Sequence, residues 1–85
     1  MRWFRAGRSG RAVLLRWRTA SEAALVGFNV YRERSGVRAR LNRTLLPVAR
    51  RSYSLRDRWV RDVRYWLEVV RLDGTSARFG PVGVR

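Results

Sequence analysis

The sequence predicts an all-β fold of antiparallel strands, closed as a sandwich or a small barrel. Three observations lead there. Apolar and polar residues alternate with period two along most of the chain, helical periodicity is poor, and turn residues punctuate short runs of β-branched and aromatic residues. At 85 residues and 46% hydrophobic content the chain suffices for one small domain with a core, and it is too apolar for a disordered polycation.

The elements follow in order. Residues 1–11 read as a basic N-terminal arm; residues 2–6 are a poorly marked candidate for a first edge strand, and Gly7-Arg8-Ser9-Gly10 reads as flexible. The rest of the domain spans 12–85. Val13, Leu15 and Trp17 point one way and Leu14, Arg16 and Arg18 the other, the pattern of a half-buried strand. Thr19-Ala20-Ser21-Glu22 makes one helical turn or a loop, and Gly27 breaks the stretch after it. Residues 28–33 form the next strand, Ser35-Gly36 a turn, and 37–41 a short strand leading to Asn42. Leu46 precedes a proline, so 45–48 is extended. Residues 52–55 form a strand, with Asp57 beginning a corner. The longest strand is 63–72, with Val63, Tyr65, Leu67 and Val69 on one face and Arg64, Trp66, Glu68 and Val70 on the other. Asp73-Gly74 turns the chain into a last strand at 79–84, where Gly80-Pro81 marks an edge or a bulge. The expected core is Val13, Leu15, Trp17, Phe28, Val30, Leu55, Tyr65, Leu67 and Val69.

Several of these residues occur in an ordered set. Val13-x-Leu15-x-Trp17, Thr19-Ala20-Ser21-Glu22 and Gly27-Phe28-Asn29-Val30-Tyr31-Arg32 are followed by Arg40-Leu41-Asn42 and Leu46-Pro47. Tyr53-Ser54-Leu55-x-Asp57, Tyr65-Trp66-Leu67-Glu68, Leu72-Asp73-Gly74 and Gly80-Pro81-Val82 complete it. Over about residues 12–84 the chain resembles a bacterial branch of fibronectin type III-like domains. The resemblance implies an antiparallel seven-stranded, immunoglobulin-like β-sandwich with Trp17 buried on its second strand. It also implies a non-catalytic spacer or interaction module. Tyr65 is the candidate for the tyrosine that locks the corner before the long strand; a shifted register puts Val63 there. The corner carries Val60-Arg61-Asp62-Val63 where the family has a glycine, and the charge is far more basic than is usual in this branch.

Composition bounds the function. All 20 basic residues are arginine, against six acids, for a net charge of +14. The six acids can pair with at most six arginines, which leaves at least 14 to repel one another or to attract anions. With no Cys and no His, disulfides, thiol nucleophiles, the commonest general base and the usual zinc ligands are all missing. No two acids are spaced to converge as a catalytic pair, and no Gly-rich phosphate loop joins a strand to a helix. No apolar run approaches the ~18–20 residues of a membrane span. The four-residue apolar stretch after the basic N-terminus is short for a signal peptide, so an intact chain is expected in the cytoplasm. Asn42-Arg43-Thr44 fits a glycosylation sequon, a short motif that arises often by chance.

The expected function is a non-catalytic interaction or assembly module, a small accessory subunit docking on an acidic surface of a larger complex. Alternation directs Tyr31 and Trp66 outward from one sheet, near Arg64 and Arg78, with Arg38, Arg40 and Arg61 as further anchors. The alternative to docking is that Trp66 packs under the Arg8–Arg11 arm or beneath neighbouring arginine stems. The alternative function is nucleic-acid binding, for example on ribosomal RNA, with arginines against phosphates and aromatics against unstacked bases. Neither reading calls for a cofactor, a metal or a small-molecule substrate. Arginines also gather at Arg50 and Arg51 and at Arg56 and Arg58.

Overall fold

Alternating stretches become strands, and strand extends beyond them at several ends. The structure is a computed structural model describing residues 1–49 and 51–85. It contains β1 (Trp3–Ser9), β2 (Ala12–Arg18), β3 (Leu25–Arg34), β4 (Val37–Arg40), β5 (Leu46–Pro47), β6 (Ser52–Arg58), β7 (Val63–Arg71) and β8 (Ser76–Gly83). Among the described residues there is no helix, hence none long and apolar enough to cross a membrane.

Two antiparallel sheets face each other across the core. One has the order β1-β2-β6; the other has the order β4-β3-β7-β8, with β5 pairing β3 past the end of β4. They are joined along one seam, where Val84 bridges Ala6 and the Arg85 amide donates to the Ala6 carbonyl at 3.0 Å. Ala6, Val13, Leu15, Trp17, Phe28, Val30, Val63, Tyr65, Leu67 and Val69 are buried between the sheets. Trp17 anchors this core: Tyr53 stacks on it at 5.6 Å between ring centroids and Phe28 meets it edge-on at 5.7 Å. Such ring pairs add ~0.5–1.5 kcal/mol each beyond area burial. At the far end of the core, the Tyr65 hydroxyl donates to Asp57 of the opposite sheet at 2.8 Å, and Arg32 lies 3.3 Å from the same carboxylate. Burial first, then this bond, raises the Tyr65 phenol above its ordinary pKa.

Four expectations are corrected. The expected seven strands are eight, because the 45–48 stretch contributes its own short strand. Residues 1–11 do carry the candidate first edge strand, but it runs on through Gly7-Arg8-Ser9, which pair with β2 instead of staying flexible, so the hairpin satisfies backbone groups a free arm would leave to water. Gly27 does not end a segment; it sits inside β3 beside a bulge, where a Cβ would collide with the Leu46 carbonyl and the Leu45 side chain. Asp57 does not begin a corner but pairs with Val13 within β6, so the strand runs three residues past Leu55. Leu55 itself is half-buried and packs on the margin of the core. Arg50 lies outside the described residues.

Candidate functional site

β3 and β7 are each buried on one face by alternating apolar residues, which sends Asn29, Tyr31, Glu33, Arg64, Trp66 and Glu68 to the opposite face. The ladder then sets these side chains in rows. Tyr31 lies directly opposite Trp66 on one side and Arg40 on the other. Glu33 lies between Arg38 and Arg64, and Glu68 between Asn29 and Arg78. Trp66 falls at a bulge, where Gly80 and Pro81 of β8 together oppose one residue of β7. Gly80 has φ +128° and passes so close that a Cβ there would stand 2.7 Å from the Tyr65 carbonyl oxygen.

Two carboxylates organise this face. Glu33 is buried and accepts from Arg38 Nε at 3.0 Å, Arg64 Nη2 at 2.6 Å and Trp66 Nε1 at 3.1 Å. Arg38 does double duty, since its guanidinium also lies 4.1 Å above the Trp66 ring. The Arg38 bond, with Trp66 and Arg64 behind it and burial opposing, holds the Glu33 carboxyl below its usual range. Glu68 accepts from Asn29 Nδ2 at 2.9 Å and from the Tyr31 hydroxyl at 3.1 Å, with Arg78 at 3.8 Å. The Asn29 bond leads in lowering its pKa, while burial and then Glu68 raise that of Tyr31.

Asn42 supports the arrangement from beneath. β4 covers β3 from Tyr31 onward and β5 covers Gly27 and Phe28, leaving Val30 without a strand neighbour on that edge. The Asn42 side chain fills the gap. Its Oδ1 accepts the Val30 amide at 2.8 Å, and its Nδ2 donates at 2.8 Å to both Asn29 Oδ1 and the Thr44 carbonyl. Asn42 is buried and its amide is engaged in these bonds, so the sequon around it is no exposed attachment point.

Of the expected site residues, Tyr31, Trp66, Arg64, Arg78, Arg38 and Arg40 come together on this one face. Arg61 does not: it is exposed in the turn between β6 and β7. The two rings are half-buried rather than freely presented. Trp66 lies beneath a neighbouring arginine, Arg38 of β4, as one of the alternatives to docking has it, and not under residues 8–11. Arg8 instead stacks on Trp59 at 3.7 Å. Alternation alone puts Glu68 on the outer face with Arg64 and Trp66, but not the bonds by which Glu33 and Glu68 position the aromatics, which cross between strands. In the sequence Asn42 stands out only as the residue after a short strand and the start of a sequon, because its bonding role depends on a gap between two other strands. No family model, curated protein or solved structure matches this chain.

Proposed function

We propose that the chain is a non-catalytic interaction module of fibronectin type III-like kind, which docks on an acidic protein surface of a larger assembly through the β4-β3-β7-β8 face. Support for the fold reading is that seven strands remain when β5 is set aside, three in one sheet and four in the other, with Trp17 buried on the second strand. The docking reading rests on one observation: Tyr31 and Trp66, directly paired and half-exposed, are held in place by Glu33, Arg38, Arg64 and Glu68. Tyr, Trp and Arg are the residues that dominate binding hot spots, and rings fixed beforehand lose little freedom on docking. Arg38 and Arg64 share Glu33 and Arg78 faces Glu68, so these guanidiniums are held in place, while with Arg40 the face stays net positive toward an acidic protein surface. Anchors held in this way suit a protein partner better than a phosphate backbone.

The test is capture of partners from the native lysate after nuclease treatment, with the wild-type chain and with Trp66→Ala. A defined protein should be retained by the wild type and bound about 2 kcal/mol or more weaker per folded molecule by the variant, whose lost Glu33 bond and Arg38 stacking also lower the melting temperature somewhat. A large loss of melting temperature, with binding per folded molecule unchanged, would show that Trp66 is a packing residue and end the proposal.

A further inference from the structure

The outer surface of the β1-β2-β6 sheet carries a different pattern of charge. Its ladder sets Arg5 opposite Arg16, Trp3 opposite Arg18, Leu14 opposite Arg56 and Ala12 opposite Arg58. Because Ala6, Val13, Leu15 and Trp17 are buried, alternation turns these arginines outward, and all are exposed. The only acid in the three strands, Asp57, points inward to Arg32 and Tyr65. The ion pairs found among the described residues involve Arg32, Arg38, Arg64 and Arg78, none of them on this surface. Like charges directly opposite each other, as Arg5 and Arg16 are, destabilise a sheet unless anions cover them.

We infer that this surface binds a single strand of nucleic acid, a function beyond the docking face and independent of it. Charge complementarity selects a polyanion. Arg16 and Arg18, and likewise Arg56 and Arg58, are two residues apart on one strand, hence about 7 Å apart. That step resembles the one between successive phosphates of an extended polynucleotide. At one end of the rows, Trp3, Arg16, Ser52 and Ser54 border a depression of about 330 Å³. The Arg5 guanidinium already lies over the Trp3 ring, 4.2 Å from its centroid; a base stacks on that indole–guanidinium pair and finds hydroxyls and Arg16 at its edge. A lipid headgroup has no ring to stack there, and arginines repeated at phosphate spacing beside a stacking indole favour a polynucleotide over an acidic peptide. On the opposite face a phosphate would first have to displace Glu33 or Glu68 from its arginines; here the guanidiniums stand free of carboxylates.

The experiment is fluorescence anisotropy of labelled single-stranded RNA and DNA oligonucleotides with the whole chain, titrated with salt. Inorganic polyphosphate and phosphatidylserine vesicles serve as the other polyanions. Arg16→Glu/Arg56→Glu is compared with Arg34→Glu/Arg43→Glu, which makes the same change in net charge at two exposed positions elsewhere. Arg16→Glu sets a carboxylate opposite Arg5, so the first variant should fold, and Arg16→Gln/Arg56→Gln provides a second with a milder change. The first pair should lose roughly tenfold or more in affinity, and the salt slope should fall by about 0.7 for each phosphate contact removed. The second pair should change little. Trp3→Ala should weaken oligonucleotides by roughly fivefold or more and leave polyphosphate unchanged. Trp66→Ala should leave nucleic-acid binding intact, so failure of the docking face and failure of this surface are separately visible. Equal losses from both charge-reversal pairs would reduce the binding to net charge and overturn the inference. So would insensitivity to Trp3→Ala, or tighter binding to the vesicles than to the oligonucleotides.

Discussion

Replacing Asn42 with alanine removes the side chain that stands in for a missing strand. Val30 is fully buried, and its amide has Asn42 Oδ1 as its partner at 2.8 Å. An orphaned buried donor costs about 1–3 kcal/mol. The Nδ2 bonds to Asn29 and the Thr44 carbonyl disappear as well, each worth about 0.5–1.5 kcal/mol net, although Thr44 is exposed and water can replace its bond. The expected loss is about 3 kcal/mol, a large share of the ~5–15 kcal/mol of a typical domain. In a domain of this size that lowers the melting temperature by roughly 12–24 °C. Thermal and urea unfolding measure the total, and hydrogen exchange at the Val30 amide locates it. Asn42→Asp is the informative companion, because it keeps an acceptor for Val30 but turns an acceptor toward Asn29 Oδ1 and the Thr44 carbonyl. It should be no better than Asn42→Ala if the donor bonds matter as argued. A loss below about 0.5 kcal/mol for Asn42→Ala, with the Val30 amide still protected, would refute the reasoning.

Two further perturbations probe the aromatic face. Gly80→Ala places a Cβ 2.7 Å from the Tyr65 carbonyl oxygen at a φ of +128°, so it should cost at least ~1–3 kcal/mol and loosen the β7–β8 bulge under Trp66. An unchanged melting temperature, with β7 amides still protected, would refute this. Acid titration probes the two carboxylates: Glu33 and Glu68 both have folded pKa values below their ordinary 4.5. Their stabilisation is therefore complete above that value and is lost as the pH falls below it, through the depressed folded pKa values. Melting temperature against pH should show this decline, and Glu33→Gln/Glu68→Gln should flatten it.

Period-two alternation, read from the sequence alone, decides which way each side chain of a long strand points. That is why burial of Val13, Leu15, Trp17, Phe28, Val30, Tyr65, Leu67 and Val69, and the outward placement of Tyr31 and Trp66, were legible without a structure. Alternation carries no information about which strand lies beside which, because pairing depends on contacts between residues far apart in the chain. The opposition of Arg5 and Arg16, the clamp of Arg38 and Arg64 on Glu33, and the crossing from Tyr65 to Asp57 therefore belong to tertiary structure. The same holds for β1, whose Gly7-Arg8-Ser9 has little strand propensity but pairs with β2 across a short turn. Asn42 is the clearest case. A buried asparagine within a sequon-like triplet looks like any loop residue until the gap between β4 and β5 shows the backbone amide it must satisfy.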